Sequence, residues 1–307
     1  MSQSWREKMS VPLAYIGVII IWSTTPLAIK WSGGDAGFLF GVTARMLIGL
    51  FFSSLLLVFV SHRSLPWNRQ ARKAYIVAGI AIYGSMLCVY WGAQYISSGF
   101  ISVIFGLNPI VTGIMAALWL NERSLTFAKI SGVLFGIAGL YIIFYQGMQL
   151  GNNAVIGIAA VCMAVFMHSL SSVWFKKLDI NLTALEITQG GLMISVPMYL
   201  LTWFFMHGVW PEHFSQRGLG SIIYLGIFGS VIGFVLFFYI LKHVEVSRVS
   251  LITLITPVAA LFLGHALNNE TLNIEVWIGT GLILSGMIFY QWSDKFFIML
   301  RKAEVNK

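Results

Sequence analysis

The stretch LNPIVTGIMAALWLNER, residues 107–123, decides how this chain reads. It is apolar enough to sit in lipid, yet it carries Asn108-Pro109 near its start and ends on Asn121-Glu122-Arg123. A proline inside a helix removes one backbone hydrogen bond and clashes with the carbonyl four residues back. At membrane depth, unpaired backbone is tolerated only where it faces protein or a wet cavity. The segment has an echo. ITPVAALFLGHALNNET, residues 255–271, aligns on it at an offset of 148, with Thr256-Pro257 on Asn108-Pro109 and Asn269-Glu270 on Asn121-Glu122. The segments around them repeat as well: Gly79, Gly132 and Gly139 fall on Gly226, Gly279 and Gly286 at an offset of 147. The earliest parts align only loosely, with WSTTPLAIK (22–30) set against HSLSSVWFK (168–176).

The rest of the composition agrees with a lipid setting. Hydrophobic residues make up 58% and charged residues 10% of the 307, where a soluble domain carries about a quarter charged. Mean hydropathy is +0.83. The net charge of +8 comes from bases spread over short loops without a long basic run, which excludes a nucleic-acid partner and points to membrane topology. Cys88 and Cys162 lie inside apolar runs without ligand spacing, so they read as buried small hydrophobes rather than a disulfide or metal site.

A helix needs about 20 apolar residues to cross a ~30 Å hydrocarbon core. Ten candidate spans meet this: 11–30, 38–60, 74–93, 99–120, 128–146, 154–175, 183–206, 219–241, 249–267 and 274–293. They are continuous rather than alternating, so the class is all-α and not a barrel. The first lacks a small-residue cleavage signature and reads as a retained helix. With the N-terminus in the cytoplasm, 16 of the 19 lysines and arginines fall on the inner side, leaving Lys30, Arg45 and Arg217. The sequence therefore predicts a multi-pass protein of the inner (plasma) membrane with both termini cytoplasmic. The repeat unit is five spans, an odd number, so its second copy must enter from the opposite side. The prediction is a bundle built as a 5+5 inverted repeat, with units 11–146 and 154–293 and cytoplasmic tails 1–10 and 294–307. Inverted repeats recur in secondary transporters, with substrate near the midplane between the halves.

These residues carry a family resemblance. The five-plus-five plan, the proline-to-glutamate segments of the fourth and ninth spans, the glycine-rich span after each, and STTPLAI between Trp22 and Lys30 resemble the EamA branch of the drug/metabolite transporter superfamily. The match is strongest over 95–140 and 243–288. The family usually has glycine before the glutamate, where this chain has Asn121 and Asn269. The resemblance implies a basket-like bundle whose central cavity is lined mainly by spans one, three, four, six, eight and nine.

Thirteen residues at ~1.5 Å rise put Pro109 about 20 Å from Glu122, well inside the membrane. Pro109 and Pro257 are thus expected helix breaks, and Asn108 and Thr256 the polar groups beside them that line a cavity. Glu122 and Glu270 read as turn-fixing caps where the next helix starts, at the cytoplasmic and periplasmic faces respectively, with a gating or proton-coupling role as the alternative. Tyr83, Leu87, Tyr90 and Gln94 share one face of the third span. Trp22 and its loose counterpart His168 lie near mid-membrane, and a deep histidine points to a pathway or to a neutral hydrogen-bonded group. The substrate-cavity candidates are Trp22, Tyr83, Tyr90, Asn108, His168 and Thr256. Arg45 is expected to snorkel outward from the second span, and Glu186 and His265 to lie near span ends. None of these three is assigned to substrate.

No catalytic group, metal or cofactor is expected. The acids are scattered, and no phosphate-binding Walker loop, HExxH or GxSxG occurs. The expected function is a secondary carrier of small organic solutes, amino-acid-like or nucleoside-like, working by alternating access, with proton coupling and exchange both open. The alternative of another class is a polytopic membrane enzyme or lipid-handling protein.

Overall fold

Asn68, Ser97 and Ser215 each start a helix by accepting a backbone N–H three residues on, from Ala71, Phe100 and Gly218. Thr183 and Glu186 form a full capping box, each side chain holding the other's backbone N–H. The computed structural model describes residues 10–34, 36–60, 64–119, 127–149, 152–178, 182–206, 208, 210–213, 215–244, 252–271 and 273–305. Among them the regular structure is helical throughout: α1 (Val11–Gly34), α2 (Phe38–Leu55), α3 (Arg69–Gly92), α4 (Ser98–Phe105), α5 (Asn108–Trp119), α6 (Phe127–Gln149), α7 (Asn152–Leu178), α8 (Ala184–Phe205), α9 (Gln216–Tyr224), α10 (Gly233–His243), α11 (Ile252–Asn268) and α12 (Ile274–Val305). A π-helical turn, Leu56–Val60, closes α2, and a longer one, Leu225–Ile232, joins α9 to α10. Taking α4 with α5 and α9 with α10, these make ten membrane-scale segments. Seven are long and apolar enough to cross a membrane, and 130–143, 255–268 and 274–289 are shorter apolar stretches.

The two proline segments fold differently. The fourth span breaks: α4 ends at Phe105, Gly106 and Leu107 form a tight turn, and α5 starts at Asn108. Pro109 sits in the first turn of α5, where a missing N–H has no intrahelical partner to lose. Pro257, expected to break its helix, instead lies inside α11, which runs without interruption from Ile252 to Asn268. What differs is the preceding sequence. Gly106 makes the first turn cheap to unwind, and Leu254 stands in its place in the second copy. The turn at Gly106 packs toward Pro257, whose Cγ lies 3.8 Å from where a Gly106 Cβ would stand.

Glycines set the closest helix contacts. A Cβ on Gly139 would lie 2.6 Å from the carbonyl oxygen of Gly279, and one on Gly286 would lie 2.5 Å from that of Gly132. Increasing number in α6 therefore meets decreasing number in α12, so the two helices cross antiparallel. Gly79 of α3 faces the Gly191 carbonyl and Ile194 of α8, while Gly226 faces the Arg45 carbonyl and Ile48 of α2. The outer faces stay apolar, with Leu13, Ile16 and Ile20 on α1 and Leu134, Ile137 and Tyr141 on α6 exposed, as lipid contact requires.

Candidate functional site

Four of the six sequence-predicted cavity residues stand in two neighbouring groups. The first gathers Trp22 of α1, Asn108 of α5 and His168 of α7. The Trp22 and His168 rings meet edge-on at 6.0 Å between centroids, and Phe237 of α10 lies 5.3 Å from Trp22 and 5.2 Å from His168. Phe105, the last residue of α4 before the break, closes on His168 at 6.3 Å. Asn108 Oδ1 accepts from Ser169 Oγ at 2.7 Å, and its Nδ2 reaches His168 Nδ1 at 3.5 Å. An aromatic box with one amide and one imidazole is the type of lining that orients a small organic molecule. The cavity beside it, walled by Ser85, Met86, His168, Ser172 and Phe237, is only about 30 Å³, room for about one or two waters.

The second group contains Tyr90. With Lys30, Phe38 and Gln94 it lines a cavity of about 300 Å³ between α1, the start of α2 and the end of α3. Tyr90 Oη accepts from Ser32 Oγ at 3.2 Å. Lys30 Nζ donates to the carbonyls of Ala93 and Ile96 at 3.2 and 2.7 Å, closing the end of α3. The aromatic face of the third span is thus divided. Tyr83 turns away to α8, with its hydroxyl 2.6 Å from Thr202 Oγ1 and its ring 5.0 Å from Tyr199. Thr256 is buried in α11 at 3% exposure, next to Pro257, whose ring faces the Gly106 turn.

Among the described residues the bonds of the Glu270 carboxylate to a helix start run to α4 and not to α12. Its carboxylate reaches across to the start of α4, accepting from Ser98 N at 3.0 Å, Ser98 Oγ at 2.9 Å and Gly99 N at 3.3 Å, and from Asn268 Nδ2 at 3.0 Å. A carboxylate there satisfies orphan N–H groups and the positive helix end. Asn269 supplies the bend with φ 52°, a left-handed conformation that asparagine tolerates better than most side chains. This accounts for asparagine where glycine is usual. Glu122 and Asn121 lie outside the described residues. His265 Nδ1 lies 3.0 Å from the Glu270 carbonyl oxygen.

Arg45 departs most from expectation. It does not snorkel: its exposure is 1%, and it is among the largest fully buried side chains. Its Nε donates to Ser230 Oγ at 2.8 Å, a terminal nitrogen lies 3.9 Å from Met86 Sδ, and Cζ stands 6.0 Å from the Tyr90 ring centroid. Its depth in the span was the available signal, and only the inward facing of α2 decides between the two outcomes. Ser169, Phe105 and Phe237 also escaped the sequence reading, because nothing local separates them from core residues.

The sequence matches the EamA-like transporter family twice, over residues 9–145 and 155–291. A Bacillus subtilis protein called uncharacterized transporter YoaV is 26% identical over 281 residues, covering 91% of this chain and 96% of its own. An uncharacterized transporter of Archaeoglobus fulgidus is 29% identical over 217 residues, 69% of this chain and 73% of its own. Protein PagO of Salmonella typhimurium is 24% identical, covering 91% and 93%. One crystal structure shares the fold with a TM-score of 0.65 at 19% identity, covering 91% of this chain and 96% of that one.

Proposed function

The chain belongs to the EamA-like transporter family, a multi-pass inner-membrane transporter in which two like halves make one carrier, and from that premise we propose secondary transport of small organic metabolites by alternating access. The halves are inverted repeats, both termini are cytoplasmic, and the solute meets Trp22, Asn108 and His168 near the midplane, with Thr256 and the α4–α5 break beside it. Tyr90 belongs to the approach from the outer side. Tyr83 serves the α3–α8 contact.

The observation that supports this most is the mirrored set of glycine contacts. The α3–α8 contact of Gly79 with Gly191 and Ile194 has its counterpart in Gly226 with Arg45 and Ile48, each residue 146 or 147 positions from its equivalent. Equivalent helices α6 and α12 cross antiparallel, which is what a two-fold axis in the membrane plane produces. The cavities fit one step of an alternating cycle. The chamber at the Lys30 end is about 300 Å³, the size of a small-molecule site. The cavity beside His168 is about a tenth of that, a size that fits a central site narrowed in this step of the cycle.

Counterflow in proteoliposomes tests the reading: vesicles loaded with a metabolite panel should accumulate the labelled member of the panel that the protein carries. A purified, folded protein that exchanges no member across sealed vesicles, and whose Asn108→Ala/Thr256→Ala variant behaves identically, would remove the midplane carrier.

A further inference from the structure

We propose that Arg45 is the anion anchor of the central site, so that the carried solute is a small organic carboxylate with an apolar body. The proposal rests on the transport reading and names its substrate class.

A guanidinium has five N–H donors and no acceptor. Arg45 is 1% exposed, yet the structure gives it one oxygen partner, Ser230 Oγ at 2.8 Å, and one thioether, Met86 Sδ at 3.9 Å. Among the described residues no carboxylate pairs with it. A buried charge without a counter-charge is strongly unfavourable in lipid, and arginines at this depth face a partner or a pathway. The missing partner is an anion, and the planar fork suits a carboxylate, which it grips through two parallel bonds.

A second, independent observation falls one residue along the chain from Met86, the thioether that Arg45 touches. Ser85 Oγ is buried, with 2% of the residue exposed, and has no hydrogen-bond partner. Ser85 and Met86 together line the small cavity that also holds His168 and Phe237. Met86 thus links the under-satisfied guanidinium to the cavity that the unsatisfied hydroxyl lines, and both groups have donors left for one anionic group. The long π-helical turn Leu225–Ile232 carries Ser230 to Arg45, and such turns are frequent at functional sites. Three residues on, Gly233 stands 3.6 Å, measured from where its Cβ would be, from Trp22 Nε1. The anion corner therefore adjoins the aromatic box, which would take the apolar body.

Tyr90 joins Arg45 to the chamber of about 300 Å³: its ring centroid stands 6.0 Å from Arg45 Cζ, and it lines that chamber.

The test uses the purified full-length protein and a ladder of straight-chain and aryl-terminated acids, each matched with its neutral amide and with its phosphonate. Binding is read as ligand-dependent thermal stabilisation. At least one acid should bind about tenfold or more tightly than its amide, as a charged hydrogen bond predicts. Arg45→Gln should erase that preference, and Arg45→Lys should keep part of it. If Arg45→Gln fails to fold, Ser230→Ala and Ser85→Ala, which leave the charge in place, should each narrow the preference several-fold. The proposal is overturned if no acid exceeds its amide, if phosphonates exceed carboxylates throughout, or if folded variants keep the full preference. Acid binding without counterflow in sealed vesicles would instead sink the transport reading and leave the anion site standing.

Discussion

Lys30 and Lys176 make the same contact in the two matched halves of the chain. Lys30 Nζ donates to the carbonyls of Ala93 and Ile96, and Lys176 Nζ donates to those of Leu241 and Val244 at 3.5 and 3.3 Å. Ala93 and Ile96 become Leu241 and Val244 on adding 148. Each lysine covers backbone carbonyls where a helix ends, which is where a cation is favoured. The two sites are far apart in the chain and share no partner. Replacing either by Met should lower stability by about 0.5–2 kcal/mol, and the double variant should show the sum within about 0.5 kcal/mol. Chemical denaturation of the purified single and double variants measures both. A variant pair with strong coupling would contradict two separate caps.

Glu270 should act mainly as a fastener for α4. Glu270→Ala leaves two backbone N–H groups and the Ser98 hydroxyl at the start of α4 without their acceptor. The expected loss is about 1–3 kcal/mol in thermal unfolding. Glu270→Gln, which keeps one acceptor oxygen, should lose less and should leave the pH profile of transport unchanged. A profile that flattens in Glu270→Gln would show that the carboxyl exchanges protons after all.

The α6–α12 crossing offers a sharp contrast within a few residues. A Cβ on Gly279 would stand 2.9 Å from Ile143 Cγ1 and 3.1 Å from the Gly139 carbonyl oxygen, while one on Gly281 meets nothing within 4 Å. Gly279→Ala should therefore destabilise, by about 1–3 kcal/mol. Gly281→Ala, in the middle of a helix, should be neutral or stabilising by up to about 1 kcal/mol. Folded yield and melting temperature in detergent distinguish the two; equal effects would mean that the helices are not held at this spacing.

In the aromatic box, Ser169→Ala removes the 2.7 Å bond to Asn108 Oδ1 without emptying volume. It should slow counterflow several-fold while costing about 1 kcal/mol of stability. His168→Phe keeps the ring contacts and removes the nitrogens, and a loss of about tenfold or more is expected if the imidazole meets the solute. Full transport by His168→Phe would make the histidine a packing group.

Topology is open to direct labelling. Gly34→Cys, in a background with Cys88→Ser and Cys162→Ser, lies on the wall of the end chamber. It should react with a membrane-impermeant maleimide from outside intact cells. Labelling only after the cells are opened would turn the molecule over and place both termini outside.

The run of apolar segments and the echo of 107–123 at 255–271 made the helical class, the ten apolar segments and the repeat legible from the chain, because lipid imposes length, polarity and backbone pairing locally. Position along the chain also placed Trp22, Asn108 and His168 at similar depth. Facing was not legible. Whether Arg45 points to lipid or into the bundle, whether Tyr83 lines a cavity or binds Thr202, and which helix Glu270 caps all depend on the rotation of one helix against another. A proline equally placed in both copies opens a new helix at Asn108 and is absorbed inside α11 at Pro257. The sequence sets the depth of each group, since rise per residue is fixed, and only the packing of ten segments against one another decides its neighbours.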